Sequence, residues 1–117
     1  MDIQSLQTYI IPVAILLFLI WRYYNTRKIK AQLPKYLKQG AVIIDVRTAS
    51  EFNQAANPMS QNIPLDIINA KYSELDKNKT IILCCSSGAR SGMAAGILRQ
   101  KGFKNVINAG SWTNTLV

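Results

Sequence analysis

Cys84-Cys85-Ser86-Ser87-Gly88-Ala89-Arg90-Ser91 places two thiols, a run of small residues and a cation in consecutive positions. The stretch follows the apolar, β-branched run Thr80-Ile81-Ile82-Leu83 and leads into a helix-compatible segment, Ser91 to Gln100. That order puts a thiol at the tip of a strand and a cation at the start of a helix. Short side chains and Gly88 let backbone N–H groups converge on one point, and the helix adds the positive end of its dipole. Such a loop suits an anion. The same field favours thiolate over thiol, and the thiolate is the nucleophile.

The rest of the composition narrows the chemistry. The 117 residues contain no histidine, two cysteines and six acidic residues. A Cys-His hydrolase site is thereby excluded, and no metal ligand set, zinc above all, is expected. Thiol exchange needs no strong base, only a thiolate and a pocket that stabilises charge. The adjacent cysteines do not make a disulfide framework, because pairing neighbours closes a strained eight-membered ring, and a reducing cytosol fits them.

Positioning this loop calls for a small α/β domain. Ala41-Val42-Ile43-Ile44-Asp45-Val46 is a nearly continuous apolar run, as in a strand buried on both faces. Thr48 to Phe52 suits a helix start, with Thr48 as N-cap and Glu51 three residues later as a capping box. Asn57-Pro58 marks a turn, and Asn62-Ile63-Pro64-Leu65 a short strand, in which Pro64 calls for an edge or strand-end position. Helices are expected over Ile68–Leu75 and Ser91–Gln100, the latter stopped by Gly102, with a last strand at Val106-Ile107-Asn108. Strands alternating with short helices predict a mainly parallel sheet with helices on both faces, and ligands bind beyond the carboxyl ends of such strands.

Ahead of that domain, Leu6 to Tyr24 spans nineteen positions of which Arg22 alone is charged. This is near the minimum for crossing a hydrocarbon core of about 30 Å. Trp21, Tyr23 and Tyr24 sit where an interfacial aromatic belt would, and Arg22 can snorkel. Residues 6–24 are therefore expected to form a retained transmembrane helix and residues 25–34 a basic juxtamembrane linker. The domain follows over 35–117, after a polar connector from Ile29 to Gly40 that includes a short helix at Pro34–Lys38. Of the +8 net charge, residues 1–38 hold +5, from six basic residues against Asp2. By the positive-inside rule the domain faces the cytoplasm from a cell inner membrane. Beside an apolar segment, this basic run fits topology and anionic headgroups rather than nucleic acid.

Taken together, the domain resembles the rhodanese family. That family's loop pattern, Cys-x-x-Gly-x-Arg-Ser, is met by Cys85, Gly88, Arg90 and Ser91. Its Asp-Val-Arg signature followed by Glu-Phe is met by Asp45-Val46-Arg47 and Glu51-Phe52, its Asn-Ile-Pro-Leu segment by Asn62 to Leu65, and its late Gly-x-Trp by Gly110-Ser111-Trp112. The resemblance covers about residues 35 to 116. It implies a sulfurtransferase in which Cys85 takes sulfane sulfur from thiosulfate or a persulfide donor. Residues 86–91 (Ser86, Ser87, Gly88, Ala89, Arg90, Ser91) would hold the anionic group, and a thiol or cyanide would accept the sulfur. It implies no cofactor, because the carried group is sulfur itself.

Two alternatives stand beside it. One is a non-catalytic module of the same fold that docks partners at the membrane. The other counts from Cys84, where Cys-x5-Arg is the spacing of cysteine phosphatases and arsenate reductases; a Gly three residues after the nucleophile fits Cys85 instead. Cys84 is expected to be a buried strand residue or, secondarily, a resolving thiol. Arg47 and Glu51 are expected to pair with each other rather than clamp substrate, Asp45 to anchor a nearby loop, Ser91 to cap its helix and Trp112 to plug the core or its rim. The family's Gly-His-Ile segment is replaced here by Asn53 to Gln61. Small neutral residues at 86, 87 and 89 leave few side-chain contacts for a dianion, which favours a protein-bound persulfide donor.

Overall fold

The structure, a computed structural model, describes residues 2–117. Its sheet is built from β1 (Val42–Asp45), β2 (Gln61–Asn62), β3 (Ile81–Cys85) and β4 (Val106–Ser111). The spatial order is β2-β1-β3-β4 and every pairing is parallel. The helices are α1 (Ile3–Lys38), α2 (Ala49–Gln54), α3 (Ile68–Lys71) and α4 (Ala89–Gln100). Short 3-10 turns flank α3, and another, Trp112–Thr115, follows β4. The expected α/β class and the mainly parallel sheet are both present.

Side chains alternate between the two faces of a strand, so an inner strand supplies two separate cores. One face buries Ile44, Val46, Ile81, Leu83 and Cys85 against α3 and α4, through Ile68, Ala94 and Leu98. The other buries Ile43, Ile82 and Cys84 beneath Leu33 of α1, with Ile29, Tyr36 and Leu37 packed around it. The two adjacent cysteines therefore point into different layers.

The connector expected over Ile29–Gly40 is helix instead, since α1 runs unbroken from Ile3 to Lys38 through Pro12 and Pro34. Each proline removes one intrahelical hydrogen bond. Around Pro34 that loss is outweighed by packing, because Leu33 is fully buried on the sheet. The basic residues Lys35 and Lys38 occupy the last turn, where they complement the helix dipole. The short strand expected at Asn62–Leu65 is also smaller than anticipated. β2 ends at Asn62, and Pro64 caps a 3-10 turn at the sheet's edge. Likewise the helix expected over Ile68–Leu75 is one α-helical turn followed by a 3-10 turn at Tyr72–Glu74.

Because Leu33 fills the layer that covers Cys84, the end of α1 belongs to the domain's core. Leu33→Ala should destabilise the folded domain by about 2–5 kcal/mol, read as a lower denaturation midpoint of the full chain. A change under about 0.5 kcal/mol, the range of ordinary surface substitutions, would contradict this packing.

Candidate active site

β3 delivers Cys85 to the carboxyl edge of the sheet, and the chain then reverses through Ser86–Gly88 into α4. Gly88 makes the turn possible. It adopts φ +99° as the residue preceding α4, and a Cβ there would stand 3.2 Å from the Cα of Gly110. Gly110, at φ +80°, lies beside a register shift in β4: Leu83 pairs with Asn108, but Cys84 pairs with Gly110. This irregularity brings β4 close under the loop.

Cys85 is buried, and two polar groups reach its sulfur. Gly88 N–H donates to Cys85 Sγ at 2.9 Å, and Ser91 Oγ lies 3.3 Å from it. Burial opposes ionisation of this thiol. Hydrogen bonds from the Ser91 side chain and from the backbone of Ser91, Gly88 and Ser87 outweigh burial and hold the Cys85 thiol below its ordinary value. Cys84 is the opposite case. Its burial without such donors, together with the Asp45 charge, pushes that thiol up to about 12.

Ser91 is not a helix cap. It is wholly buried and bridges Cys85 to Asn108, donating to Asn108 Oδ1 at 2.7 Å. Asn108 also accepts from Gly110 N–H at 3.0 Å and donates to the Gly88 carbonyl at 3.0 Å. One β4 side chain thus ties both ends of the loop to the sheet. Sequence reading missed Asn108 because its partners lie seventeen and twenty residues away.

The ion pairs are rearranged relative to expectation. Arg47 does not pair with Glu51; it grips Asp45 through Nε and Nη2 at 2.8–3.0 Å, donates to the Ala55 carbonyl and stacks on Trp112 with its Cζ 5.0 Å from the ring centroid. Buried among these groups, Arg47 is part of the scaffold. Asp45 accepts from Arg47 N–H as well, so it does anchor the following loop. Glu51 instead meets Arg90 with two bonds, 2.7 and 3.0 Å, and Arg90 also donates to Ser86 Oγ. The Arg90 guanidinium, with the Thr48 capping contacts, lowers the Glu51 carboxyl to about 2. Arg90 is therefore a fork between α2 and the first loop residue. The Thr48–Glu51 capping box forms as its residue types predict.

A further contact comes from outside the sheet. Arg22 of α1 donates through Nη2 to the Ser87 carbonyl at 3.0 Å. Beside it, a cavity of about 300 Å³ lies between α1 and the loop, lined by Phe18, Trp21 and Asn25 on one side and Ser87, Gly88 and Asn108 on the other. Among the described residues no group of acidic or cysteine side chains is arranged to hold a metal ion.

A parallel sheet with helices on both faces and a thiol in a backbone-lined loop at its carboxyl edge defines a class of small α/β domains. Within that class, residues 30–114 match the family model described as the rhodanese-like domain, and the chain belongs to that family. A sulfurtransferase of Allochromatium vinosum is 33% identical over 70 residues, covering 60% of this chain and 65% of its own. A Bacillus subtilis protein named as a candidate sulfur carrier is 42% identical over 66 residues, covering 56% of this chain and 36% of the relative. This chain thus spans less than two thirds of either relative. Among solved structures, a rhodanese-related protein from Thermoplasma volcanium superposes with a TM-score of 0.64 at 27% identity, over 74% of this chain and 86% of that one.

Ser91→Ala removes the hydroxyl that faces the sulfur. It should raise the Cys85 titration midpoint by about one pH unit, the scale of one hydrogen bond to a charged group. The check is the pH dependence of iodoacetamide alkylation at Cys85, followed by mass spectrometry. The sign follows from the lowered thiol: reactivity is present above the folded midpoint and lost as pH falls through it.

Proposed function

We propose that this chain is a membrane-anchored sulfurtransferase that carries sulfane sulfur as a persulfide on Cys85. The observation that carries the proposal is the Cys85 sulfur held by the Gly88 N–H and the Ser91 hydroxyl at the end of a buried strand. Membership of the rhodanese-like family and relatives named as sulfurtransferases support the same chemistry.

In the first half-reaction the Cys85 thiolate attacks the outer sulfur of thiosulfate or of a persulfide. A new sulfur–sulfur bond forms on Cys85 while the donor's own sulfur–sulfur bond breaks. The leaving group, sulfite or a thiolate, departs with the bonding pair. In the second, a thiolate or cyanide attacks the outer sulfur of the Cys85 persulfide, and the Cys85 thiolate is regenerated. Thiolates and sulfite are good leaving groups, so neither step needs a general acid, in keeping with a chain that has no histidine. The backbone donors that hold the thiolate also suit the anionic persulfide, as preorganised donors stabilise charge without reorganising.

The loop's side chains are small and neutral except for Arg90, and Arg90 is engaged by Glu51 and Ser86. Free thiosulfate therefore finds few charged partners, which favours a protein-bound or low-molecular-weight persulfide as donor. Cys84 is set aside as nucleophile because it faces the other layer, beneath Leu33, and its thiol is pushed up to about 12.

Anchoring rests on α1. It is long and apolar enough to cross a membrane, and its apolar stretch is not buried in the domain. The bilayer then accounts for the exposed Ile10, Ile11, Leu16 and Leu17. With basic residues following the apolar run, the domain faces the cytoplasm from the inner membrane.

The deciding measurement is the mass of the protein after polysulfide or thiosulfate treatment. One added sulfur on Cys85, retained in Cys84→Ser and lost in Cys85→Ser, is expected, with sulfur transfer to cyanide falling to background in the latter. An adduct that instead follows Cys84 would refute the assignment. No adduct on either thiol would favour the partner-docking module. A reporter fused after Val117 should be active in the cytoplasm; activity in the periplasm would reverse the topology.

A further inference from the structure

Ser87 C=O and Gly88 N–H belong to one peptide group. Its oxygen accepts from the Arg22 guanidinium at 3.0 Å, and its N–H donates to Cys85 Sγ at 2.9 Å. Hydrogen bonds in series through a peptide polarise one another, so a cation on the carbonyl strengthens the N–H as a donor to a thiolate. We propose that Arg22, a residue of the apolar N-terminal helix, is a positioning residue for the Cys85 thiolate and acts through this single peptide group. The proposal rests on Cys85 being the nucleophile.

Three further observations favour it. Ser87 and Ala89 have no charged side chain to do the same work from within the loop. α1 is also a rigid lever, because its far end is fixed by Leu33, fully buried on the sheet eleven residues beyond Arg22. Finally, the other charges near the loop are already committed. Arg90 binds Glu51 and Ser86, Arg47 binds Asp45, and Cys84 lies in the opposite layer. Among the described residues Arg22 is the side chain that donates to the Ser87 carbonyl.

A functional consequence follows. Arg22 stands next to Trp21, at the end of the apolar run, where a bilayer would give way to headgroups. Whatever competes there for its guanidinium, an anionic headgroup phosphate above all, would loosen the hold on the Ser87 carbonyl and make the thiol less acidic. The anchor thus sets the reactivity of the site as well as its location.

The test uses the full chain in nanodiscs of phosphatidylcholine alone, measuring the pH midpoint of Cys85 alkylation by iodoacetamide. Arg22→Gln should raise the midpoint and slow alkylation at pH 7 about two- to fivefold, the scale of one exposed charge-assisted bond. Arg22→Lys, which keeps a charged donor, should restore at least half of that loss. Arg27→Gln removes an equal charge from the same helix, but Arg27 bonds Tyr23 rather than the loop; its midpoint should match the wild type. An unchanged midpoint in Arg22→Gln, or an equal shift in Arg27→Gln, would overturn the proposal. Alkylation reports thiol acidity whether or not sulfur is transferred. A shifted midpoint with no persulfide formed would therefore leave the Arg22 relay standing and defeat the sulfurtransferase reading alone.

Discussion

Strand β3 lies inside a parallel sheet whose two faces are both covered, so each of its side chains must enter one apolar layer or the other. Ile82 and Cys84 go beneath Leu33 of α1, and Ile81, Leu83 and Cys85 go toward α4. No polar alternative exists for either position, because water reaches neither face. This two-residue alternation separates two chemically identical neighbours. Cys84 ends in a layer with no donors and is held as a neutral thiol. Cys85 emerges one residue later on the α4 side, where the turn into that helix presents its N–H groups.

The loop itself is almost all backbone, and its charge is supplied from a distance. Arg90 forks between Glu51 of α2 and Ser86, Asn108 of β4 holds Gly88 and Ser91, and Arg22 of α1 reaches the Ser87 carbonyl. Three elements thus restrain three successive parts of one turn. Glycine at 88 and 110 permits the approach, since a side chain at 88 would press on the Gly110 backbone. Small side chains in the loop leave room for the sulfur and its donors.

Much of this was legible in the sequence. The apolar runs of β1 and β3, the capping box at Thr48–Glu51, the Gly102 stop after α4 and the Cys85–Gly88–Arg90 spacing all rest on interactions within a few residues. What was misjudged involves competition between partners. Arg47 and Glu51 sit at a spacing that favours a pair, yet Asp45 lies two residues from Arg47 on a buried strand and offers a bidentate grip. That left Glu51 for Arg90, thirty-nine residues away. The proline at 34 suggested a break, and the break fails because burying Leu33 compensates for the lost helical bond.

By itself, the sequence determined the α/β class, the strand–loop–helix that carries the thiol and the apolar helix ahead of the domain. Each of these is written in local periodicity, turn chemistry or uninterrupted apolar length. Only the tertiary structure decided which cysteine meets hydrogen-bond donors, which cation answers which carboxylate, and that Asn108 and Arg22 close around the loop. Those outcomes depend on which distant groups the fold brings within hydrogen-bonding distance in a close-packed interior. Sequence spacing carries no measure of that distance until the sheet has formed.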